Sequence, residues 1–402
     1  MKSKTTLPKD RLSVLEKRQN LKMARSAHSY VRGNTVKFYE WLTSANASRL
    51  PQGPAIWICG DCHVGNLGPL ASADGRVEIA IRDLDQTVIG NPAHDLIRLG
   101  LSLATAARSS DLPGVTTARM LEAMLTGYQD GILRSKGNLV AAGNDIEPVK
   151  VVLRKALKRE WRHLASERIA GVSPTIPLGK SFWPLSDAEK TEIKRLFDKE
   201  EVRLLITSLQ QRDTDDDIDI ADSAYWMKGC SSLGGIRFAV LVKVGKKKGI
   251  AGFSLIDIKE AAKTAAPRAS NASLPRNNAQ RIVQGACNIS PFLGMRMMAA
   301  RLCDRPVFVR ELLPQDLKLE IENISRKEAV ATARYLAEVV GKAHGRQMSS
   351  GDRKDWTSAL RRNRSKNIDT PSWLWSSVIE LIAIHEKAYL DHCRKFAMGT
   401  LH

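Results

Sequence analysis

The chain has few aromatic residues and no long apolar segment. Phenylalanine, tryptophan and tyrosine make up 5% of its 402 residues, which disfavours a surface that stacks the bases of single-stranded nucleic acid. The best candidate for a membrane span, residues 373–384, is interrupted by Glu380 and is shorter than the roughly 20 residues that cross a bilayer. The N-terminal segment lacks the apolar region of a secretory signal. We therefore expect a soluble, cytoplasmic protein without a membrane span.

Cysteine is also scarce, and the six cysteines are scattered along the chain. This distribution is typical of a reduced cytosolic protein rather than of a disulfide framework. Cys59, Cys62 and His63 resemble half of a zinc site, but no second CxxC or HxxxH pair accompanies them. Zinc is therefore the less favoured interpretation of these residues.

Negative charge is in short supply compared with positive charge. The sequence contains 62 Lys and Arg against 43 Asp and Glu, a formal net charge of +19. Most of the excess lies in residues 1–50, with a net charge of +8, and in residues 223–316, with +10. Such charge attracts nucleotide phosphates and an anionic acceptor substrate. A basic nucleic-acid-binding protein is the alternative, which the lack of a helix-turn-helix or RNA-binding signature disfavours.

The length and the charge pattern predict more than one structural unit. An acidic segment, residues 213–222, precedes the basic one and indicates a linker with a boundary near residues 205–222. We predict a helical catalytic lobe, first part, over residues 1–205, a small β-rich nucleotide-binding lobe over 206–315, and the second part of the helical lobe over 316–402.

Hydrophobic spacing predicts a mostly helical chain with one β-rich region. Helices are predicted over residues 12–29, 35–43, 92–108, 116–133, 148–166, 187–199, 278–288, 326–347 and 373–396. Strands are predicted over residues 55–58, 77–81 and 306–313, with a two-stranded hairpin inside 224–261. The predicted class is therefore α+β, with a large helical lobe and a small antiparallel sheet.

Two short segments concentrate acidic and amide side chains after predicted strands. Asp61 and Asn66 lie five residues apart in GDCHVGN, and Asp83 and Asp85 follow the next strand. Phosphoryl transfer uses one Asp to accept a hydroxyl proton, and Asn and Asp oxygens to hold Mg²⁺ against the phosphates. Each residue alone is a common turn or cap residue. Together they predict Asp61 as a catalytic base, with Asn66, Asp83 and Asp85 as metal ligands.

These segments resemble the motifs of a known group of enzymes. Residues 60–66 resemble the GDxHxxN catalytic loop of aminoglycoside-phosphotransferase-like and choline-kinase-like enzymes. Asp83, together with Gly90-Asn91-Pro92 and Asp95, resembles their metal-binding segment. The resemblance implies a bilobal, protein-kinase-like fold and the cofactors ATP and Mg²⁺.

The nucleotide-binding parts of such an enzyme follow the catalytic loop instead of preceding it. A glycine-rich segment, KGCSSLGG, lies between predicted strands, Lys259 ends a later strand, and the strand FVRELLP is a candidate hinge that contains Glu311. Backbone N–H groups of a glycine-rich loop can contact phosphates, although hairpin turns use the same residues. The candidate cofactor-binding residues are Gly229, Ser231, Ser232, Gly234, Gly235, Lys259 and Glu311.

This order implies a circular permutation. In an unpermuted kinase-like chain, the helix that corresponds to residues 326–347 leads directly into the catalytic loop. Permutation is tolerated where chain termini lie close together at the surface. The order, together with SAHSYVRG, GDCHVGN, RDLDQT and DIKEA, resembles the bacterial domain of unknown function 2252 family over roughly residues 20–350. That family implies a kinase-like fold without an established substrate.

One expected residue is missing. Kinases pair the strand lysine with a Glu on the next helix, but residues 261–310 contain no Glu, and Gln284 occupies that helix. Either Glu260 or Asp257 holds Lys259, or the lobe binds nucleotide weakly. The second case would make the chain a non-catalytic nucleotide-binding pseudokinase.

Three basic residues near the catalytic loop are candidate contacts for substrate or phosphate. Arg25 and Arg32 flank SAHSYVRG, and His63 lies inside the loop itself. Arg side chains suit oxyanions because the guanidinium group is planar and presents several donors. A solvated helix face is the alternative interpretation of the two arginines. The sequence does not specify the acceptor, and the basic charge disfavours a cationic one.

Overall fold

The computed structural model describes most of the chain as a mixture of helices and antiparallel strands. The described residues are 6–46, 49–72, 75–135, 146–158, 175–208, 212–228, 235–245, 252–313, 315–317, 325–362 and 370–398. Within them the predicted α+β class is confirmed. None of the described helices is long and apolar enough to cross a membrane.

The helices account for most of the described residues, and three of them begin with a capping box. The helices are α1 (Arg11–Met23), α2 (Ala27–Gly33), α3 (Thr35–Trp41), α4 (Ala93–Ser109), α5 (Gly114–Leu133), α6 (Glu147–Leu157), α7 (Asp187–Phe197), α8 (Glu200–Thr207), α9 (Asn278–Ile289), α10 (Pro291–Gly294), α11 (Arg326–Gly345), α12 (Ser350–Leu360) and α13 (Ser372–Phe396). Ser186 caps α7 because its hydroxyl accepts the Glu189 N–H. Ser325 and Ser349 cap α11 and α12 in the same way.

The strands form one six-stranded sheet and two two-stranded sheets. They are β1 (Ile56–Ile58), β2 (Leu67–Ala71), β3 (Val77–Ile81), β4 (Val88–Gly90), β5 (Phe182–Trp183), β6 (Asp217–Trp226), β7 (Arg237–Gly245), β8 (Gly252–Glu260), β9 (Met297–Leu302) and β10 (Arg305–Leu312). The large sheet is antiparallel, in the order β5-β6-β7-β8-β10-β9. β1 pairs with β4, and β2 pairs with β3.

The two faces of the large sheet have different chemistry because side chains alternate along each strand. One face buries Phe238, Val240 and Ile256 against apolar side chains of α7 and α8. The opposite face has an apolar end around Leu241 and Leu255 and a charged end on β7, β8 and β10. Residues 182–207 therefore pack with this sheet. The sequence analysis began the small lobe at residue 206 and so assigned almost all of this segment to the helical lobe.

The acidic segment 213–222 differs from its prediction as a linker. Residues 217–222 form the first half of β6, and their register with β7 shifts between Ile220 and Asp222. The pattern DIDI alternates polar and apolar residues, so Ile218 and Ile220 pack on the core beneath the sheet while Asp219 is exposed. This alternation is typical of a half-buried strand, and the acidic composition concealed it.

The helical part of the molecule is organised around α4, α5 and α11. Leu96, Ile97, Leu99 and Leu101 of α4 are completely buried in the largest core. α5 and α11 pack against each other through glycines, since a Cβ atom at Gly341 would lie 2.1 Å from the Tyr128 carbonyl oxygen. This packing places the start of α4 directly behind the loop that follows β1.

Candidate functional site

The loop after β1 carries Asp61 on a turn that requires glycine. Gly60 has φ +75°, and a Cβ atom there would lie 2.1 Å from the Gln86 carbonyl oxygen, so a side chain would be both strained and obstructed. Asp61 is buried, and its Oδ1 accepts a hydrogen bond of 2.9 Å from Arg98 Nε. The Asn66 side chain closes the loop by donating to the Asp61 carbonyl at 2.9 Å. The two predicted residues therefore belong to one rigid turn.

Burial makes the Asp61 carboxylate a stronger base than an exposed Asp. Desolvation raises the pKa of Asp61, although the Arg98 guanidinium opposes this effect. His63 Nε2 lies 3.8 Å from Asp61 Oδ2. Burial, together with the positive charges of Arg98 and Arg32, keeps the pKa of His63 well below its usual value. His63 is therefore a neutral neighbour of the carboxylate rather than an ion-pair partner.

Asp95 holds the loop from the opposite side. Its carboxylate is fully buried at the start of α4 and accepts the N–H groups of Cys59 at 2.7 Å and of Gly60 at 2.9 Å. Asp95 is therefore a brace for the loop that carries Asp61.

A chain of buried hydrogen bonds continues from Asp95 into the helical core. His344 Nε2 lies 3.1 Å from Asp95 Oδ2, His344 Nδ1 lies 2.8 Å from the Tyr128 hydroxyl, and Trp356 Nε1 donates to that hydroxyl at 3.1 Å. The Trp356 indole N–H can only donate, so the Tyr128 oxygen is its acceptor, and the two ring nitrogens of His344 join that hydroxyl to the Asp95 carboxylate. We name this set, Asp95, His344, Tyr128 and Trp356, the buried relay. Sequence reasoning did not identify it.

Asp83 and Asp85 lie on the turn between β3 and β4 and meet the side chain of Lys259. The Lys259 ammonium is hydrogen-bonded to Asp85 Oδ2 and lies 3.7 Å from Asp83 Oδ1. Asp83 remains 44% exposed, whereas Asp85 is 21% exposed and its Oδ1 has no hydrogen-bond partner among the described residues. Three predicted site residues are thus brought together from segments 174 residues apart.

The two carboxyl groups have opposite pKa shifts. Partial desolvation would raise the pKa of the half-exposed Asp83, but the positive charges of Lys259, Arg310 and Arg237 hold it well below the usual range. Burial and the negative charge of Asp83 raise the pKa of Asp85 to about 6, against the opposing effect of Lys259. Asp83 is therefore the permanently ionised member of the pair.

Lys259 does not use either partner that the sequence suggested. The Glu260 carboxylate accepts from the Ile236 N–H and from Arg305 Nη1, each at 2.9 Å. Asp257 pairs with Arg237 and Arg310 instead. Lys259 therefore pairs with Asp85, on the turn after β3, and not with a Glu on the following helix.

The helix α9, where a Glu partner was sought, contributes an arginine to the same turn. Arg281 donates to the carbonyls of Thr87 at 2.5 Å, Asp85 at 3.0 Å and Ala262 at 2.9 Å. Gln284 on that helix is exposed. The basic side chain thus fixes the backbone of the Asp85 turn rather than pairing with a carboxylate.

A second ion cluster lies beside Lys259 on the same face of the large sheet. Asp257 is completely buried and accepts from Arg237 Nε at 2.8 Å and from Arg310 Nη2 at 2.9 Å. Pairing of β8 with β7 and β10 places Lys259 opposite Arg237 and Phe308, so these side chains share a face. The alternation of Asp257 and Lys259 in IDIKE was the only sequence signal for this cluster.

The remaining candidate cofactor-binding residues are those of the glycine-rich segment and Glu311. Gly229, Ser231, Ser232 and Gly234 lie outside the described residues. Gly235 is described, and its carbonyl accepts the Tyr225 hydroxyl at 2.8 Å. The Glu311 carboxylate is buried against Arg212, with a hydrogen bond of 2.8 Å from Arg212 Nη2.

The two candidate arginines of the N-terminal segment have different surroundings. Arg25 is exposed just after α1. Arg32 covers the loop that carries Asp61, since a Cβ atom at Gly65 would lie 2.4 Å from Arg32 Nη2. Of these two arginines, Arg32 is therefore the one that contacts the loop that carries Asp61.

The oxygen atoms of Asp83, Asp85 and Asn66 suit a Mg²⁺ ion that binds together with a phosphate group. They do not form a complete metal site by themselves. The described residues contain no group of three or more His, Cys, Asp or Glu side chains placed to hold a metal. Mg²⁺ is usually bound through one or two carboxylates, water and substrate phosphates. The exposed Asp83 carboxylate, the Asn66 amide and the unpaired Asp85 Oδ1 fit that pattern.

Comparisons with known proteins identify the family. No curated protein and no solved structure matches the chain. A family model described as "uncharacterized protein conserved in bacteria", DUF2252, matches residues 11–395. The chain therefore belongs to the DUF2252 family.

Proposed function

We propose that this protein is a kinase-like, ATP- and Mg²⁺-dependent phosphotransferase with circularly permuted lobes, acting on an unidentified hydroxyl acceptor. The observation that carries the proposal is the position of the Lys259 ammonium beside Asp83 and Asp85. A lysine supplies the positive charge that phosphate oxygens require, and a partly exposed, ionised carboxylate supplies a ligand for Mg²⁺. The buried Asp61 with its raised pKa supplies the base that the same reaction uses.

Each residue has a defined task in this proposal. Bound Mg·ATP would supply the γ-phosphoryl group and the divalent charge that offsets negative charge on the phosphate oxygens. Asp61 Oδ2 accepts the proton of the acceptor hydroxyl, because Oδ1 is occupied by Arg98. Asp83 and the Asn66 amide oxygen would hold the metal, and Lys259 would contact the phosphates after leaving Asp85.

A second candidate function is nucleotide binding without transfer. It is favoured by the Lys259–Asp85 pair, because a lysine already held by a buried carboxylate must exchange that partner for phosphate. It is also favoured by the Arg98–Asp61 pair, since an opposite charge weakens a carboxylate as a base.

The formation of ADP from ATP distinguishes these functions. Purified protein with Mg²⁺ should release ADP in the presence of a member of a hydroxyl-metabolite panel. Asp61→Asn should lower that rate at least about 100-fold while Mg·ATP binding, measured by calorimetry, is retained. Lys259→Met should weaken Mg·ATP binding itself. In the wild type, the rate should fall as the pH falls through the raised pKa of Asp61, because only the carboxylate accepts a proton.

A matched control is Asp391→Asn, which removes an exposed carboxylate on α13 and should leave both measurements unchanged. Equal ADP formation by wild type and Asp61→Asn would contradict the enzyme proposal. Tight Mg·ATP binding with no turnover would support the second candidate. Absence of Mg·ATP binding in the wild type would contradict both.

A further inference from the structure

The helix α1 contacts two separate parts of the molecule. Its second half lies on α13 in the helical part, where the Asn20 carbonyl oxygen lies 2.9 Å from His392 Nε2. Just after the helix, the Ala24 carbonyl accepts the Tyr389 hydroxyl at 3.2 Å. Its first half contacts the unit formed by the large sheet and α7. The sheet and the helical part are therefore joined through α1 as well as through the contacts around Lys259.

Arg11 is the main anchor of the first half of α1. Its Nη1 donates to Glu189 Oε1 at 2.6 Å, and its Nη2 donates to Glu189 Oε2 at 3.1 Å and to the Pro184 carbonyl at 2.6 Å. The same guanidinium group lies over the Tyr225 ring, 4.3 Å from its centroid. Glu189 belongs to α7 and Tyr225 to β6. A bidentate pair with a carboxylate, combined with a cation–π contact, fixes both the position and the orientation of this side chain.

Two further side chains of α1 complete this attachment. Leu15 is buried in the apolar core between the sheet and α7. Arg18 donates to the Lys180 carbonyl at 2.9 Å and lies over the Trp183 ring of β5. Arg11, Leu15 and Arg18 are four and three residues apart, so they lie on one face of the helix.

The attachment is small compared with the packing of the core helices. Of the 13 residues of α1, only Arg11, Leu15 and Met23 are buried, whereas most of α4 is buried. An element with few buried apolar contacts opens locally at a lower free energy than the whole protein unfolds. The first half of α1 can therefore detach while the cores of the sheet and of the helical part stay folded.

The sheet is attached to the helical part at a second place, on the side of β8. There the segment after β8 runs along the turn that carries Asp85, and the Thr264 hydroxyl donates to the Gln86 carbonyl at 3.0 Å. Arg281 joins the same two segments, since it donates to the carbonyls of Asp85 at 3.0 Å and of Ala262 at 2.9 Å. β5 and β6 lie on the other side of β8 from β10 and β9 in the sheet order. With both attachments in place the angle of the sheet is fixed, and with the second alone the sheet can pivot.

We propose that α1 is a latch that holds the β5–β6 side of the large sheet to the helical part, and that release of its first half lets the sheet pivot about the junction after β8. The latch thereby sets the access to the charged face of the sheet, which contacts the helical part through Lys259 and Asp85. The proposal stands independently of the phosphotransferase proposal, because its anchors and its pivot are defined by contacts within the chain.

Hydrogen exchange of the full chain tests the release. A helix of 13 residues is barely stable in water by itself, so the amides of residues 15–18 should exchange by local opening, at least about tenfold faster than the slowest amides of α4. Arg11→Gln removes the ion pair and the cation–π contact and should speed this exchange roughly tenfold to hundredfold. Lys17→Gln is the matched control, because Lys17 is an exposed cation of the same helix, and it should leave the exchange unchanged.

A distance measurement tests the pivot. Dyes would be attached through azido amino acids at Lys190 of α7 and Val115 of α5, which are both exposed, so that the native cysteines stay unlabelled. Energy transfer between the dyes should give one narrow distribution in the wild type and in Lys17→Gln. In Arg11→Gln the distribution should broaden and shift, because the sheet is then held at one place.

Exchange of residues 15–18 only together with the slowest amides of α4 would overturn the latch. Equal exchange in Arg11→Gln and Lys17→Gln would do the same. An unchanged dye distribution in Arg11→Gln, despite faster exchange of α1, would overturn the pivot. If Arg11→Gln does not fold, Arg18→Gln replaces it in both measurements, since it removes only the contacts with Lys180 and Trp183.

Discussion

At the residue scale, the charged side chains around the candidate site are buried and held in specific pairs. Arg98 pairs with Asp61, Lys259 pairs with Asp85, and Arg237 pairs with Asp257. Such pairs contribute little net stability, because desolvation offsets their attraction, but loss of one partner leaves an uncompensated charge. Each pair therefore makes its members sensitive to substitution.

Asp257→Ala should be strongly destabilising. It would leave Arg237 and Arg310 without their shared carboxylate on the sheet, and a broken buried pair typically costs about 3–5 kcal/mol. Urea denaturation measures the free energy of unfolding. Asp219→Ala is the matched control on the same sheet, because Asp219 is exposed and its loss should cost less than about 0.5 kcal/mol. Similar effects of the two substitutions would contradict the buried cluster.

Asp85 should make stability depend on pH in a defined window. Its pKa rises from 3.8 to about 6 in the folded state, so the folded state binds this proton more tightly than the unfolded state. The stabilisation is complete below about pH 4 and is lost as the pH rises through about 6. The difference in unfolding free energy between wild type and Asp85→Asn should therefore decrease over that range. A flat difference, or one that increases, would contradict the assigned environment.

At the element scale, α5 and α11 form the closest helix pair around the core. A Cβ atom at Gly127 would lie 2.0 Å from the Arg334 carbonyl oxygen, and one at Gly131 would lie 2.1 Å from the Glu338 carbonyl oxygen. Glycine at these positions lets the two backbones meet, and α11 thereby delivers His344 to the buried relay.

Gly341→Ala should destabilise this helix pair. Alanine is the better helix former, but its methyl group would lie 2.1 Å from the Tyr128 carbonyl oxygen, and overpacking typically costs about 1–3 kcal/mol. The control is Gly114→Ala at the start of α5, where nothing lies within 4 Å of the added atom. That change should leave stability equal or raise it by up to about 1 kcal/mol. Thermal unfolding of both variants checks the prediction, which a stabilised Gly341→Ala protein would refute.

At the scale of the whole molecule, distant parts of the chain combine to hold one loop. The buried relay joins α4, α5, α11 and α12 to the turn before Asp61. The first and the last of the described α-helices also contact each other, since the Tyr389 hydroxyl of α13 donates to the Ala24 carbonyl just after α1 at 3.2 Å. This proximity is compatible with the proposed circular permutation.

His344→Leu should destabilise the whole protein and disorder the loop that carries Asp61. It removes one hydrogen-bond partner of the Asp95 carboxylate and one of the Tyr128 hydroxyl, at a cost of about 2–3 kcal/mol for buried groups left unpaired. Denaturation would give the stability, and hydrogen exchange of the Cys59 and Gly60 amides would report the loop. His94→Leu is the control, because the buried Nδ1 of His94 has no partner among the described residues. It should cost less than about 1 kcal/mol, and slow exchange of both amides in His344→Leu would exclude the relay as their support.

Local patterns sufficed to predict many elements. The period of apolar residues located α4, α5, α9, α11 and α13 to within a few residues, because one face of each helix must be buried. It also located β3 and the hairpin of β7 and β8. Family membership followed from the same short motifs, and the family model confirms it. The spacing of Asp61, Asn66, Asp83 and Asp85 predicted a candidate site, and the structure places Lys259 beside the two later carboxylates.

The partners of those residues were decided only by the tertiary structure. Asp85 rather than a helix Glu holds Lys259, Arg98 holds Asp61, and Arg281 fixes the Asp85 turn. A sequence pattern states which face of an element is apolar, but it carries no information on which distant element will pack against that face. The sequence by itself thus determined the elements, the excess of positive charge and the chemical types at the site. The large sheet packs against the turn that carries Asp83 and Asp85, and α4 packs against the turn that carries Asp61. This packing determined which charges pair, because a buried charge is stable only beside an opposite charge and the fold decides which one is near.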